Sequence, residues 1–116
     1  MKICVQSGGI SEHIGPEKAY ETIARSGFTA IDWNAVDLAL PGNQIRNQQF
    51  AGCIYEKSDA DIDAYFAPEV AAIRKNGLTI SQAHAPFPAY VAGHPEVLEY
   101  MIGVYQMLIR ICDRFE

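Results

Sequence analysis

The sequence predicts a parallel α/β fold, and three observations support this. Three short apolar runs rich in β-branched and aromatic residues recur, at residues 2–5, 28–33 and 78–81. A segment with helical hydrophobic periodicity follows each run. Gly27 and Gly77 stand directly before the second and third runs, where a glycine ends a helix and leads into the next strand. Strands and helices that alternate in this way form βαβ units with parallel strands.

The first strand and helix begin with KICV, residues 2–5, which predicts a buried strand that QSGG ends. Pro16 suits the first position of the next helix, and Gly27 supplies its left-handed stop. The helix has one apolar face, made of Ala19, Tyr20, Ile23 and Ala24. These signals agree and predict a helix that begins at Pro16 and ends before Gly27.

The second unit begins with FTAIDW, residues 28–33, which predicts the second strand. Residues 34–58 are polar and longer than an ordinary connection in a compact domain, so they predict a functional or disordered loop. The helix after them ends at residues 75–77, KNG. Its apolar positions are Ile62, Phe66, Val70 and Ile73. Pro68 leaves two alternatives: a helix that is kinked there, or a shorter helix of which it is the first residue.

The third unit begins with LTIS, residues 78–81, a predicted strand that runs on to His84. The sequence APFP after His84 continues neither a strand nor a helix. The last helix opens near Pro95 and Glu96. Its apolar face has the clearest helical periodicity in the chain: Leu98, Met101, Tyr105, Leu108, Cys112 and Phe115.

Three strands are few for a parallel sheet, whose strands normally have both faces covered. An uncovered edge strand presents unpaired backbone groups, which favours association. At 116 residues the chain has room for a single domain, residues 1–116. We therefore expect this domain to be the N-terminal part of a larger fold, or to belong to a homo-oligomer in which another chain covers the open edge.

Composition excludes several classes of protein. The net charge of −5 and the scattered basic residues argue against a nucleic-acid partner, which requires clustered Lys and Arg. The three cysteines are far apart and lack metal-ligand spacing, so they predict neither a disulfide framework nor a structural zinc site. The N-terminus has no signal-peptide pattern, and no apolar segment is long enough to span a membrane. We expect a cytoplasmic protein with no membrane partner.

Candidate site residues follow the predicted strands. In parallel α/β folds, ligands bind at the carboxyl ends of the strands, because the strand-to-helix loops meet there. The residues at those positions are Gln6, Asp32, Trp33, His84 and Phe87. An imidazole there can bind a metal, donate a hydrogen bond to a hydroxyl or transfer protons near neutral pH. Trp33 and Phe87 are suited to the apolar side of a sugar ring.

Structural alternatives exist for the same residues. His84 can hydrogen-bond local backbone carbonyls, and Trp33 can pack in the core. Asp32 can take part in a turn with Asn34. The segment SGGISEHIGPEKA, residues 7–19, matches neither the dinucleotide-binding nor the P-loop glycine pattern.

Four stretches together resemble the N-terminal half of a known family: MKICVQSGGI, IARSGFTAIDWN, VAAIRKNGLTISQAHAPF and MLIRICDRFE. The family is the sugar-phosphate isomerases and epimerases, the xylose isomerase-like (β/α)8 barrels that include the endonuclease IV group. The resemblance spans nearly the whole chain. Its most specific part is GLTISQAHAPF, residues 77–87.

The resemblance implies a partial (β/α)8 TIM barrel, with three of the eight βα units and parallel strands. It places His84 at the end of the third barrel strand, where such proteins use a histidine to contact substrate or to bind a metal. It implies a divalent metal cofactor (Mn, Co, Mg or Zn) and isomerisation or epimerisation of a keto-sugar or cyclitol, with a sugar or sugar phosphate as ligand.

The remaining metal ligands of the family lie on later strands, so no catalytic acid or base is assigned to this chain. An alternative is a non-catalytic barrel fragment that associates with itself. A phosphodiester-cleaving relative of the endonuclease group is disfavoured by the acidic composition.

Overall fold

The computed structural model describes residues 2–115 and contains a three-stranded sheet in the order β1-β2-β3. The strands are β1 (Cys4–Gln6), β2 (Ala30–Trp33) and β3 (Thr79–Ala83). Both neighbouring pairs are parallel, which confirms the predicted parallel α/β arrangement. The predicted domain also includes Met1 and Glu116, which lie outside the described residues.

Helices join and cover the strands. Within residues 2–115 they are α1 (Ile10–Ile14), α2 (Pro16–Arg25), α3 (Ala35–Leu38), α4 (Gly42–Arg46), α5 (Asp59–Lys75) and α6 (Pro95–Phe115). The predicted starts of α2 and α6 at prolines are confirmed, and Gly27 after α2 has a positive φ of 90°. In the described part of the chain, no helix has both the length and the hydrophobicity that crossing a membrane requires.

The central strand β2 divides the molecule into two faces. Ile31 and Trp33 point to one face and Ala30 and Asp32 to the other, because successive side chains of a strand alternate. The Trp33 ring packs edge-on against Phe66 of α5, with ring centroids 5.4 Å apart, and against Phe115 of α6 at 6.2 Å. The face that carries Trp33 is therefore the helix-covered core.

The opposite face is open at the flanking strands, although parallel strands normally have both faces covered. Cys4 and Gln6 of β1 are exposed, as are Ser81 and Gln82 of β3. The Cys4 Sγ lies 3.0 Å from the Ser81 Oγ, a contact that passes over β2. Ala30, in register with Cys4, is fully buried beneath them. The open face thus has small and polar side chains rather than an apolar layer.

Residues 34–58 contain ordered helices and contribute to the core, so the alternative of a disordered loop is wrong. They contain α3, α4 and the 3-10 turn Ile54–Glu56. Fully buried side chains along this segment include Val36, Leu40 and Ile45. The Tyr55 hydroxyl donates a hydrogen bond to the Val36 carbonyl, which ties the 3-10 turn to α3. Sparse apolar residues in short helices were enough to anchor a segment that is polar on average.

α5 runs without interruption through Pro68, so the alternative of a shorter helix starting at that proline is wrong. The Ser58 hydroxyl caps its first turn by accepting a hydrogen bond from the Asp61 N–H at 3.2 Å. Its apolar positions Ile62, Phe66, Val70 and Ile73 are all buried, as predicted.

α6 buries a stripe that overlaps the predicted one only in part. Its buried residues are Val97, Met101, Val104, Leu108 and Ile111. Met101 and Leu108 belong to the predicted face, whereas Leu98 is 43% exposed. The helix is apolar on more than one side, and its tertiary contacts select the stripe that is buried: Tyr100 stacks on Phe50, and Phe115 packs against Trp33. Arg114 joins its end to α5 through Asp63, with Nη2 and Oδ1 2.7 Å apart.

Candidate functional site

An aspartate–histidine pair lies at the carboxyl end of the sheet. The His84 backbone N–H donates to the Trp33 carbonyl at 3.0 Å, which fixes His84 beside the end of β2. The His84 Nδ1 lies 2.9 Å from Oδ2 of Asp32. The Asp32 side chain is 10% exposed and the His84 side chain 41%. The pair is therefore buried on its aspartate side and open on its imidazole side.

The hydrogen bond determines which ring nitrogen is available. A carboxylate only accepts hydrogen bonds, so the His84 Nδ1 carries the proton that Asp32 accepts. Nε2 is then the nitrogen available to a ligand, as a proton acceptor when the ring is neutral. The other carboxylate oxygen, Oδ1 of Asp32, is buried and has no hydrogen-bond partner among the described residues. A buried unpaired oxygen of this kind is costly unless a ligand or water supplies a donor.

A row of polar side chains crosses the open face of the sheet at the level of Asp32. Asp32 is in register with Gln6 on β1 and with Gln82 on β3, so the three side chains are lateral neighbours on one face. Both glutamines are exposed. Gln82 was not predicted as a site residue, and only the strand register identifies it. Two amides beside a carboxylate provide donors and acceptors suited to hydroxyl groups.

The loops after β1 and β2 are tied together beneath this row. The Ser7 N–H donates to the Asp32 carbonyl at 2.9 Å, and the Ser7 hydroxyl accepts from the Asn34 N–H at 3.0 Å. The Asn34 Oδ1 in turn accepts from the Gly8 N–H at 3.2 Å. Ser7 and Asn34 are buried. This network holds the backbone of Asp32 in place, and the side chain of Asp32 pairs with His84 rather than forming a turn with Asn34.

Asp37 of α3 is a second carboxylate near the pair, and sequence reasoning missed it. Burial raises the pKa of Asp37, and the charge of His84 opposes this shift. The two side chains are thus close enough to interact electrostatically. One signal could have identified Asp37: it follows the end of the second strand by only four residues. The helix that contains it, α3, was not predicted.

The other predicted site residues are placed differently. Phe87 is 58% exposed in the loop three residues after His84, where its ring is accessible to a ligand. Its carbonyl approaches Gly42 so closely that a Cβ there would lie 2.7 Å from it, so the start of α4 supports this loop. Trp33 is fully buried on the helix-covered face. The core-packing alternative therefore describes Trp33, and we leave it out of the proposed site.

A groove of about 480 Å3 opens beside the pair, between the end of β3, α3 and α6. Its walls are mostly apolar, and His84 and Asp113 are among the residues that line it. The Tyr105 hydroxyl donates to the Pro86 carbonyl at 2.9 Å, which fixes the loop after His84 against α6. We call this cavity the His84 groove.

The described residues do not fit the divalent metal that the family resemblance implies. No group of three or more His, Cys, Asp or Glu side chains in residues 2–115 is arranged to hold a metal ion. Since Nδ1 of His84 is bonded to Asp32, this histidine offers a single donor, Nε2.

The chain matches no protein-family model, no curated protein and no solved structure. The class that fold and site define is a three-stranded parallel α/β protein with an aspartate–histidine pair at the carboxyl end of its sheet. The resemblance to sugar-phosphate isomerases stays a prediction.

Proposed function

We propose that the chain is the N-terminal part of a (β/α)8-type isomerase or epimerase acting on a keto-sugar or cyclitol, and that His84 is its proton-transfer residue. The observation that supports this is the 2.9 Å contact between His84 Nδ1 and Asp32 Oδ2 at the carboxyl end of parallel strands. A cytoplasmic location stays a prediction, which cell fractionation would check.

Isomerisation requires a proton to leave one carbon and return to its neighbour, and epimerisation requires one to leave and return on the other face. The neutral His84 accepts the proton at Nε2 from a carbon next to a carbonyl, and Asp32 stabilises the imidazolium that forms. The electron pair of the C–H bond moves toward the carbonyl, whose oxygen becomes that of an enediolate. The proton then returns from Nε2 to the former carbonyl carbon, while the proton of the neighbouring hydroxyl passes to the former carbonyl oxygen, so that the carbonyl moves to the adjacent carbon. A positioned acid–base group of this kind contributes about 10²- to 10⁴-fold in rate.

Neighbouring groups suit a polyhydroxylated ligand. Gln6 and Gln82 flank Asp32 and provide amide donors and acceptors for hydroxyls. The exposed Phe87 ring can lie against the apolar face of a sugar. The metal expected from the resemblance remains a prediction without assigned ligands.

Solvent-proton exchange tests this proposal. The chain is incubated in D2O with D-fructose, D-xylulose or a keto-inositol, with and without added Mn²⁺, and deuterium next to the carbonyl is followed by NMR. We expect exchange that His84→Asn abolishes. His94→Asn is the matched control, because His94 also pairs with a carboxylate, Glu96, at 2.8 Å but away from the sheet. Two results would refute the proposal: deuterium exchange by His84→Asn that equals the exchange by the unaltered chain, or no exchange by the unaltered chain on any of these ketoses.

A second candidate function is self-association without catalysis. The outer edge of β3 has no strand partner in the described part of the chain, and Ile109 of α6 is 71% exposed nearby. A second copy that covers this edge would give the expected homo-oligomer. Sedimentation velocity from low to high micromolar concentration checks this: we expect a dimer that Ile109→Asp disrupts, whereas a monomer at every concentration would contradict it.

A further inference from the structure

A buried tyrosine of α2, Tyr20, takes part in a polar network that the proposed proton transfer does not use. Its side chain is fully buried. Its hydroxyl donates a hydrogen bond to Oε2 of Glu69 on α5. A buried hydroxyl needs partners for its oxygen as well as for its proton. Because the proton is bonded to Glu69, the Tyr20 oxygen remains as an acceptor.

Two serine hydroxyls supply the donors. Burial raises the pKa of Tyr20, and so does Glu69, whereas hydrogen bonds from Ser7 and Ser11 lower it. A hydrogen bond that favours the ionised phenol is one donated to its oxygen, so both serines donate to Tyr20. Ser7 and Ser11 are themselves buried. The Ile10 N–H donates to the Ser7 carbonyl at 3.3 Å, which ties Ser7 to α1, the helix that carries Ser11.

The hydrogen bonds run in one direction from the end of β2 to α5. The Asn34 N–H donates to the Ser7 Oγ at 3.0 Å, so the proton of the Ser7 hydroxyl needs a different acceptor. The Tyr20 oxygen is that acceptor, and the Tyr20 proton goes on to Glu69. The series ends on a carboxylate, which only accepts. We call Asn34, Ser7, Tyr20 and Glu69 the Tyr20 network.

The Tyr20 network reaches the aspartate–histidine pair through Ser7. The Ser7 N–H donates to the Asp32 carbonyl at 2.9 Å, while its hydroxyl holds the Asn34 N–H. Ser7 therefore fixes the backbone on both sides of Trp33, and the Asp32 carboxylate that bonds His84 belongs to this backbone. A Ser7 hydroxyl without an acceptor for its proton would turn to find one and release the Asn34 N–H. A displacement of about 1 Å at a reacting group can cost about 10²-fold in rate.

We propose that Tyr20 and Glu69 are positioning residues for His84. They orient the Ser7 hydroxyl, which holds the end of β2 so that Asp32 keeps its hydrogen bond to Nδ1 of His84. A fully satisfied buried network of this kind makes the structure around it rigid. This inference rests on the proposed function and adds to its site two residues from α2 and α5.

Tyr20→Phe tests the inference, because it removes the hydroxyl and keeps the ring. Long-range ¹H–¹⁵N NMR reports the proton on the His84 ring, and amide hydrogen exchange reports the Asn34 N–H. We expect the His84 Nδ1 and Nε2 shifts to move toward each other, as the proton divides between them, and the Asn34 amide to exchange about tenfold faster. Tyr55→Phe is the control: it also removes a buried hydroxyl, which donates to the Val36 carbonyl outside the network, and should leave both readouts unchanged.

A pair of substitutions at Glu69 makes the result specific. Glu69→Gln keeps an oxygen acceptor for the Tyr20 hydroxyl and should preserve both readouts, whereas Glu69→Leu should change them as Tyr20→Phe does. Glu69 is only partly buried, so this pair decides the question if Tyr20→Phe does not fold. His84 shifts that stay the same in Tyr20→Phe and in Glu69→Leu, or that change equally in Tyr55→Phe, would overturn the inference.

Deuterium exchange separates this inference from the proposed function. Exchange by Tyr20→Phe should fall by about tenfold or more in kcat, with the half-saturating ketose concentration unchanged. Altered His84 shifts in Tyr20→Phe, with no exchange by the unaltered chain on any ketose, would retain the positioning role and remove the proposed function. Exchange and His84 shifts in Tyr20→Phe that equal those of the unaltered chain would do the reverse.

Discussion

The contact between Asp32 and His84 should contribute measurably to stability, and a double-mutant cycle isolates its contribution. The variants are Asp32→Ala, His84→Ala and the double variant, compared at neutral pH. Hydrogen bonds to charged groups stabilise proteins by about 1.5–3 kcal/mol, and exposed ion pairs by about 0.2–1 kcal/mol. The Asp32 side chain is 10% exposed and the His84 side chain 41%, so the pair is more buried than an exposed ion pair but is not fully buried. We expect a coupling free energy of about 1 kcal/mol.

The single variants should differ in a characteristic way. His84→Ala leaves both oxygens of the buried Asp32 carboxylate without a partner, which we expect to cost about 2 kcal/mol. In the Asp32→Ala background the same change should cost about 1 kcal/mol. Thermal or urea unfolding measures these values, and for a chain of this length 1 kcal/mol corresponds to about 4 °C in Tm.

The pair formed by His94 and Glu96 is the control for this cycle. Its Nδ1–carboxylate distance is 2.8 Å, but both side chains are largely exposed. Its coupling should be smaller than that of Asp32 and His84. Additive effects of the Asp32 and His84 substitutions, or equal coupling in the two pairs, would show that burial does not strengthen this contact.

The remaining predictions concern the second carboxylate, the cysteines and the core. Because burial raises the pKa of Asp37, the folded state disfavours its ionised form, and the stability of the fold falls as pH rises through that range. Asp37→Asn should therefore raise Tm at neutral pH and change nothing in acid, where both side chains are neutral; a lower Tm at neutral pH would contradict this. Burial also raises the pKa of the Cys53 thiol, so brief iodoacetamide treatment should label the exposed Cys4 first, as peptide mass spectrometry would show. Equal labelling would show that Cys53 is accessible. In urea unfolding, Met101→Ala should cost about 2–5 kcal/mol and Leu98→Ala less than about 1 kcal/mol, because Met101 is fully buried. A larger loss of stability for Leu98→Ala than for Met101→Ala would show that Leu98, and not Met101, lies in the core.

Local chemistry made the regular elements predictable. Prolines at the first turn of α2 and α6 and a left-handed glycine after α2 act within a few residues, so their effect is visible in the sequence. The buried stripe of α6 was not predictable in the same way. Both Leu98 and Met101 are apolar, and only the tertiary packing of α6 decides which of them is buried.

The short helices α3 and α4 escaped prediction for a related reason. Neither has a side-chain cap at its start, and each buries only one side chain, Val36 or Ile45. Their order comes from tertiary contacts such as that between Tyr55 and Val36. Asp37 was overlooked with them, because its proximity to His84 depends on how α3 packs.

The site was partly predictable from strand geometry. Asp32 and His84 are separated by 52 positions, yet parallel strands whose ends meet bring them together. The same geometry separates Asp32 from Trp33, since neighbouring residues of a strand point to opposite faces. Placing both side chains at one ligand site conflicted with that alternation. The register of β3, which brings Gln82 beside Asp32, includes a bulge that the sequence does not reveal.

The proposed chemistry requires that Asp32 holds the proton of His84 on Nδ1 and leaves Nε2 to the ligand. Long-range ¹H–¹⁵N NMR of the histidine rings, recorded at a pH where His84 is neutral, tests it directly. We expect the His84 Nδ1 to show the shift of a protonated ring nitrogen and Nε2 that of an unprotonated one. A proton on Nε2 instead would mean that Asp32 does not orient the ring, and the proposed proton transfer would lose its basis.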